Sequence, residues 1–435
     1  MPHVTRPTFL VALIAFIAFN SALISAASGF ASSSAAADAL HNAEREVRYM
    51  HASLSGDDPR FTVESVISGL NGPTAFTFLP DGRIVFVEQS GLVRTARNGK
   101  LTETPLLDLR DIVNNYPERG LTGIAADPDF ARNDFLYLSY AYDPPGSTQD
   151  SDAQRSYHVA RYTFVDDHID RASEAILLES PPAVKLGHIA GTLRFAPDGA
   201  LFTSMGDGVN QFQVSEQPQN LDSLNGKILR MDRNGSGLPD NPFFDPAHPR
   251  SARSRVWAFG LREPFRFAIH PRTGIPYVGN VGFHHYESLV RAAPGANFGW
   301  PCIDGVGPHR RARFIPICRT LDTAAIEHHD VIYPHLHGKA AVIGGDFNFG
   351  DALPADTRGD FFFGDYIRGW VRRAELGSDG RIVRVLPVLK NVGNIVDMQF
   401  GPDGSLYVLS YGGGSLLRIT ASSAAAAAPS PDPAP

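Results

Sequence analysis

The chain is poor in charged residues and lacks the common nucleotide-binding and hydrolase motifs. Only 20% of its 435 residues are charged, and the net charge of -7 is spread along the chain without a basic stripe. Nucleic acid is therefore not an expected partner. The sequence contains no G-x-G-x-x-G, Walker A, H-E-x-x-H or G-x-S-x-G motif. The usual dinucleotide, P-loop, zinc-protease and serine-hydrolase sites are thus not expected.

Long apolar runs are absent outside the N-terminus, so no membrane span is expected in the mature chain. At the N-terminus, Arg6 precedes an apolar run over residues 9–19, and small residues follow at 25–28. This pattern is typical of a cleavable signal peptide, with an uncleaved anchor as the alternative. We therefore expect residues 1–27 to be a signal peptide and the protein to be secreted, either extracellular or periplasmic.

The two ends of the remaining chain have little apolar surface to bury. Residues 28–60 are rich in Ala and Ser and then charged, which predicts a weakly ordered N-terminal arm. Residues 421–435 contain only Ala, Ser, Pro and one Asp, which predicts a disordered tail. Strand signals fill the stretch between them, so residues 61–420 are expected to form the folded body.

Cysteine is scarce. Cys302 and Cys318 are the only two in the chain. A close pair in an exported protein most simply forms one disulfide, and two free buried thiols are the alternative. Asn234 begins an Asn-Gly-Ser sequon, which matters only in a host that glycosylates.

Six turns built from Pro, Asp and Gly each separate two short apolar runs. Pro pre-sets the first turn position, Asp bonds its own backbone and Gly accepts a positive φ, so each unit predicts a β-hairpin. Repeated hairpins over a long chain predict an all-β fold, here a six-bladed β-propeller, with seven blades as the alternative. A strand near residues 61–67 is expected to complete the last blade and close the ring. The turn prolines are Pro80, Pro128, Pro197, Pro271, Pro354 and Pro402.

His188 directly precedes one predicted strand, and Asp207 directly follows the next. The start of one strand and the end of its hairpin partner share one edge of a sheet, so the two side chains are able to meet there. They would form a base held in one tautomer by an acid. The alternative is structural, with His188 capping a loop and Asp207 making an Asx turn.

Other polar residues interrupt apolar segments further along the chain. Arg262 and Glu263 stop at Pro264, at the end of a predicted strand. They are either a structural salt bridge or a contact to an anion or cofactor. Glu287, with nearby carbonyls, is a candidate Ca²⁺ ligand because this cation prefers oxygen ligands.

Two pairs of adjacent histidines are tempting as metal ligands. Neighbouring residues in an extended segment point in opposite directions, so each pair offers at most one imidazole to a site. We interpret all four as surface loop residues. They are His284, His285, His328 and His329.

Taken together, these segments resemble the glucose/sorbosone dehydrogenase family, the soluble pyrroloquinoline-quinone (PQQ) sugar dehydrogenases with six-bladed propellers. The resemblance covers residues 61–420 as an ordered set of motifs. The matching stretches are residues 118–130, 188–207, 224–230, 240–243, 260–262 and 297–301.

The resemblance implies roles for three of the residues already named. In that family, a His at the position of His188 is the general base that takes the proton of the sugar C1 hydroxyl. An Asp at the position of Asp207 orients it, and an Arg at the position of Arg262 stabilises charge on the cofactor oxygens. The implied cofactors are PQQ and Ca²⁺, and the implied substrate is an aldose or a related sugar.

Two more cofactor-binding candidates follow from the same resemblance. Glu118 opens the first matching stretch. Arg368 is adjacent to Ile367, which aligns with a position that is basic in the family, and is able to substitute for it.

The chain departs from the family pattern around the cofactor. Glu263 stands where Asn is usual, and residues 392–399 carry no cation where arginines are usual. Losing positive partners would weaken the binding of a trianionic quinone. This motivates the alternative function, a non-catalytic extracellular propeller that binds carbohydrate or protein. A third possibility is a Ca²⁺-dependent hydrolase such as a lactonase.

Overall fold

The computed structural model describes residues 57–181, 187–209, 213–335 and 339–422. The predicted signal peptide, all but the last four residues of the predicted arm, and the tail beyond Ser422 lie outside the described residues. No helix in these four ranges is long and apolar enough to cross a membrane.

The described residues form six antiparallel sheets of four or five strands, the blades, and one additional two-stranded sheet. Strand β1 (Phe61–Ser68) comes first. Blade 1 contains β2 (Pro73–Phe78), β3 (Ile84–Glu88), β4 (Leu92–Arg97), β5 (Lys100–Leu101) and β6 (Leu107–Asp108). Blade 2 contains β7 (Leu121–Ala126), helix α1 (Phe130–Asn133), β8 (Phe135–Tyr142), β9 (Ser156–Val165) and β10 (His168–Glu179). Blade 3 contains β11 (Leu193–Phe195), β12 (Leu201–Met205), β13 (Lys227–Met231), helix α2 (Ala252–Arg255) and β14 (Val256–Phe259).

The second half of the ring continues in the same way. Blade 4 contains β15 (Glu263–Ile269), β16 (Pro276–Val281), β17 (Tyr286–Arg291) and β20 (Val331–Pro334), with the small pair β18 (Ile303–Asp304) and β19 (Gly307–Pro308) inserted before β20. Blade 5 contains β21 (Val342–Phe347), β22 (Phe361–Asp365), β23 (Val371–Leu376) and β24 (Ile382–Leu389). Blade 6 contains β25 (Ile395–Phe400), β26 (Leu406–Ser410) and β27 (Ser415–Ala421). Short 3-10 turns cover Gln217–Gln219, Ala312–Phe314, Pro316–Arg319, Thr323–Ala325 and Ala355–Thr357.

Each of the six predicted turns joins the first and second strands of one blade. The turn in blade 3 shows why: the Asp198 carboxylate accepts the Ala200 N–H at 3.0 Å, and Gly199 has a φ of 83°. The turn in blade 6 repeats this arrangement, with Asp403 accepting the Ser405 N–H at 3.1 Å. Local turn chemistry therefore sets the same hairpin in blades 3 and 6.

The ring closes as predicted from the sequence. Strand β1 pairs with β27, so that Phe61 lies opposite Ala421 in the outer part of blade 6. The six-bladed propeller is confirmed, and the seven-bladed alternative is wrong. Between each pair of neighbouring blades lies one cluster of buried apolar side chains, six within the described residues. Because both faces of a blade pack against neighbours, inner strands such as β12 are buried along their whole length.

The first strands of the six blades surround the axis, where one arginine joins several of them. Arg266 on β15 is 1% exposed. Its guanidinium donates to the carbonyls of Thr74 at 2.7 Å, Thr122 at 2.9 Å and Val396 at 2.8 Å, and to Thr192 Oγ1 at 3.0 Å. Burial lowers the pKa of Arg266 to about 10. One side chain of blade 4 thus bonds blades 1, 2, 3 and 6, a role that the sequence analysis did not identify.

The propeller has two distinct faces. The Pro/Asp/Gly turns lie where the first strands end, and we call this the turn face. The first strands begin at the opposite face, which also carries the loops between second and third strands, and we call it the site face. His188 precedes β11 and Asp207 follows β12, so both lie on the site face.

Candidate functional site

A cavity of about 880 Å³ lies at the axis on the site face. Segments that precede or begin the first strands of several blades contribute to its wall. Among the predicted site residues, His188, Glu118 and Arg262 line it, and Glu263 lies beside them. Arg368 does not contribute to the wall, whereas its neighbour Ile367 does.

His188 is held in a tight loop before β11. Its φ of 47° is in the left-handed region, and its imidazole is almost fully buried. A Cβ at position 206 would lie only 1.9 Å from the His188 carbonyl oxygen, so the close approach of the two strand ends requires Gly206. His188 Nδ1 and Asp207 Oδ1 are 2.7 Å apart. The contact expected from the hairpin geometry is therefore present.

Both oxygens of the Asp207 carboxylate accept hydrogen bonds. Oδ1 accepts from His188 Nδ1, and Oδ2 accepts from Trp300 Nε1 at 2.9 Å. The Asp207 backbone N–H donates to the Arg262 carbonyl at 2.7 Å. With Nδ1–H of His188 donating to the carboxylate, Nε2 carries the lone pair. Trp300 belongs to a family-like motif, but nothing in the sequence assigned it this contact.

Arg262 completes the polar group around His188. Its NH2 donates to His188 Nε2 at 3.1 Å, and its NH1 donates to the carbonyls of Val281 at 3.2 Å and Gly282 at 2.7 Å. The guanidinium also lies over the Trp300 ring, 5.8 Å from the ring centre. Its Nε is buried and has no hydrogen-bond partner within the described residues. One donor of this cation is therefore left for a bound group.

Glu263 is the second carboxylate beside the imidazole. Its Oε2 lies 3.9 Å from His188 Nε2, and its side chain is 17% exposed. Burial raises the pKa of Glu263, and the nearby Glu118 carboxylate adds to this, against opposing effects of His188 and Arg262. Burial lowers the pKa of His188, but the Glu263 and Asp207 carboxylates outweigh it, and the net shift is upward.

The other charged residues of the cavity wall differ in their hydrogen bonds and exposure. The Arg119 guanidinium donates to Asn114 Oδ1 at 3.2 Å and to the carbonyls of Ser151 at 2.8 Å and Ala153 at 3.1 Å. Glu118 is exposed and adopts a φ of 67°. Lys339, three residues before β21, also lines the cavity, and the sequence analysis did not identify it.

Arg368 uses its guanidinium elsewhere. It donates to the carbonyls of Pro334 at 2.9 Å and His335 at 2.8 Å and lies over the Tyr333 ring. The structure therefore does not bring Arg368 together with His188 and Arg262. At the start of blade 5 the cation in the cavity wall is Lys339 instead.

Glu287 lies in β17 and is fully buried. One oxygen accepts from His335 Nε2 at 2.7 Å and the other from the Val342 N–H at 2.9 Å. Burial raises its pKa well above the usual value. Within the described ranges, no three His, Cys, Asp or Glu side chains are arranged to hold a metal ion. The assignment of Glu287 to Ca²⁺ stays a prediction, and its present neighbours are hydrogen-bond donors.

The histidine pairs turn out to be different from one another. His284 and His285 are exposed, as is His328, in agreement with the prediction. His329 is not a surface residue: it is 8% exposed, and its ring packs edge-on against Phe298. The prediction was wrong there because adjacent residues point in opposite directions, which places one of the pair inside blade 4.

The disulfide between Cys302 and Cys318 is present. It encloses a loop that leads away from Trp300, and His309 of this loop contacts the rings of Trp300 and Phe283 with centre distances of 5.1 and 5.0 Å. The loop thereby supports the tryptophan that bonds Asp207.

Comparison with known proteins identifies the family. The model of the Glucose / Sorbosone dehydrogenase family matches residues 70–418. The chain belongs to this family. The aldose sugar dehydrogenase of Escherichia coli is 28% identical over 368 residues, covering 82% of this chain and 92% of that protein. The crystal structure of the soluble E. coli aldose sugar dehydrogenase superposes with a TM-score of 0.67 at 26% identity, covering 83% of this chain and 99% of that one.

Two further proteins that are similar to this chain have names that describe different activities. Quinoprotein glucose dehydrogenase B of Acinetobacter calcoaceticus is 27% identical over 262 residues, 56% of this chain and 53% of that protein. Human Hedgehog-interacting protein is 28% identical over 234 residues, 48% of this chain and 32% of that protein. Similar sequences thus occur in proteins named for catalysis and in one named for binding another protein.

Proposed function

We propose that the protein is a secreted, PQQ-dependent sugar dehydrogenase that oxidises a hydroxyl of an aldose or a related sugar. The observation that carries the proposal is the position of His188. His188 lines the cavity, its Nδ1 is bonded to Asp207, and Arg262 NH2 lies 3.1 Å from its Nε2. This is the arrangement that removal of a hydroxyl proton requires.

The cavity contains cations that suit the acidic groups of a quinone cofactor and a carboxylate that opposes them. Arg262 has a buried Nε without a partner, and Lys339 provides a second cation in the wall. These two residues would hold the acidic oxygens of the cofactor. Glu263 opposes this binding, because it brings a carboxylate into the same cavity. The fit therefore depends on Arg262 and Lys339, and we assign the cofactor contacts to them.

In the reaction, His188 Nε2 accepts the proton of the sugar hydroxyl. Asp207 stabilises the imidazolium that results and keeps the ring in place. Arg262 NH2, which now donates to Nε2, is able to donate to the hydroxyl oxygen when a sugar occupies the cavity, and so stabilises the negative charge that develops there. When bound, the quinone would accept the hydride that leaves the sugar carbon.

The test uses the purified protein with PQQ and Ca²⁺. Dye reduction is followed with a panel of aldoses, and PQQ binding is measured by calorimetry. We expect reduction that depends on both sugar and PQQ. No reduction together with no binding of PQQ would contradict the proposal. Export is tested separately, by sequencing the N-terminus of the protein recovered from the medium or periplasm, where a start near residue 28 is expected.

A second candidate function is a non-catalytic propeller that binds a carbohydrate or protein. The observation in its favour is the side of the cavity formed by blades 5 and 6, where Ile343, Ile367 and Val396 present apolar surface. On this hypothesis, His188→Asn leaves the binding of glycans on an array unchanged. Loss of dye reduction in that variant, with the fold intact, would instead support the dehydrogenase.

A further inference from the structure

Trp300 donates the hydrogen bond that fixes the far side of the Asp207 carboxylate. Its indole Nε1 lies 2.9 Å from Asp207 Oδ2, and it is the one donor to this oxygen among the described residues. The other oxygen, Oδ1, accepts from His188 Nδ1 at 2.7 Å and from the Val209 N–H at 3.3 Å. Trp300, Asp207 and His188 are each at most 3% exposed, so bulk water does not compete for these bonds.

The backbone of Trp300 is held as well as its ring. Its N–H donates to the Gly260 carbonyl at 2.9 Å, and its carbonyl accepts from Gln219 Nε2 at 2.9 Å. The side-chain amide of Gln219 is itself fixed, because it exchanges two hydrogen bonds of 2.9 Å with the side chain of Asn297. The indole N–H of Trp300 therefore has a fixed direction toward Asp207.

The hydrogen bond on Oδ2 affects how strongly His188 holds a proton. A carboxylate shares its negative charge among the donors that it accepts. A donor on Oδ2 therefore leaves less charge on Oδ1 to stabilise the imidazolium of His188. Removing the Trp300 donor should strengthen the interaction between Asp207 and the protonated ring.

Other charged groups also act on the imidazole of His188. Arg262 NH2 is 3.1 Å from its Nε2, and Glu263 Oε2 is 3.9 Å from the same nitrogen. A substitution of Trp300 leaves these groups in place, so it isolates the contribution of the bond to Oδ2. The remaining charged or imidazole side chains of the cavity wall are Glu118, Arg119, His284, His335 and Lys339.

We propose that Trp300 is a positioning residue for the general base: it holds the Asp207 carboxylate with Oδ1 toward His188 and, by binding Oδ2, limits the proton affinity of the imidazole. This inference rests on the proposed role of His188, and it adds to that role a residue that does not contribute to the cavity wall. A base that holds a proton too tightly is not free to accept another near neutral pH, so the contact bears on the rate.

The first measurement uses the unaltered protein. The chain has three tryptophans, so the indole N–H groups are readily followed by NMR. We expect the Trp300 signal to shift as His188 gains its proton, and this shift to be absent in His188→Asn. The Trp257 indole, which donates to the Ala292 carbonyl at 2.8 Å, is the internal control and should not follow this titration. Burial lowers the pKa of His309, beside the Trp300 ring, to about 4, so its titration is separate.

The second measurement uses a variant that loses the donor and keeps an aromatic ring. In Trp300→Phe without PQQ, we expect the pKa of His188, measured by NMR, to rise by about 0.5 to 1. The acidic limb of the pH profile of kcat/KM should move to higher pH by the same amount. Trp257→Phe removes an indole donor from another buried position and should leave both values unchanged.

The outcomes separate this inference from a structural role and from the proposed reaction. A pKa of His188 that is unchanged or lower in Trp300→Phe overturns the inference, even if kcat or stability falls. If the variant does not fold, a Trp300 indole signal that stays constant while His188 titrates overturns it equally. A raised pKa of His188 without dye reduction by any sugar supports the contact and contradicts the dehydrogenase.

Discussion

The two sides of the central cavity are built differently. On the side of blades 3 and 4, His188, Asp207, Trp300 and Arg262 form a continuous chain of hydrogen bonds. On the side of blades 5 and 6, the wall includes Ile343, Ile367 and Val396, with two tyrosines and Lys339. The first side is a connected polar group, whereas the second is mostly apolar, with Lys339 at the start of blade 5 as its cation among the described residues.

This difference teaches that the fold itself fixes the polar group around His188, which includes Arg262, whereas the opposite wall is formed by side chains that vary independently of it. The polar group lies between strand ends of the same and adjacent blades, so the propeller itself fixes its geometry. The opposite wall depends on single side chains that change without disturbing the fold. The predictions below test this division.

The largest effect is expected from removing the base. Asn tolerates the left-handed backbone of position 188 but cannot accept the hydroxyl proton, so His188→Asn should lower kcat by about 100- to 10,000-fold. The measurement is dye reduction with saturating sugar and PQQ. His284→Asn, an exposed histidine at the edge of the same cavity, is the control and should retain activity. Equal losses in both variants would argue against a special role of His188.

A large effect on stability is expected where the two sides meet, at Arg266. Arg266→Met leaves three buried carbonyls and one hydroxyl without their donor. We expect the free energy of unfolding to fall by about 3–5 kcal/mol, measured by denaturant unfolding. Arg272→Met, on an exposed turn of the turn face, should change it by less than about 1 kcal/mol. A small effect of Arg266→Met would mean that the blades do not depend on this contact.

The sequence predicted the fold and the contact between His188 and Asp207 because both arise from local geometry. The Pro/Asp/Gly turns act within four residues, and His188 and Asp207 belong to one hairpin. Arg266 and Trp300 were missed because their partners come from distant blades, and nothing local marks them. Lys339 was missed because the resemblance pointed to position 367, in the loop between β22 and β23 of the same blade. The burial of His329 depends on which of two adjacent side chains faces the blade interior.

A smaller effect on stability is expected from replacing His329, the buried member of its histidine pair. Burial lowers the pKa of His329 to about 4 from the ordinary 6.5. Between these values the unfolded chain binds a proton that the folded protein does not, so stability should fall as pH drops from 6.5 to 4. We expect His329→Leu to remove about 2 kcal/mol of this decline in unfolding experiments across that pH range. His328→Leu changes an exposed neighbour and should leave the decline as it is.

The smallest effect is expected from adding a cation to the cavity wall formed by blades 5 and 6. Ile367 lines the cavity and is 46% exposed, so a lysine there places its ammonium in the cavity without burying it. Ile367→Lys should tighten PQQ binding about tenfold in calorimetry at low salt, since it supplies a charged partner to an acidic cofactor. Val383→Lys, on β24 of the same blade and 49% exposed, changes the net charge equally and should leave the affinity unchanged. Equal gains in both variants would show a general charge effect, and no gain in Ile367→Lys would show that this wall does not limit cofactor binding.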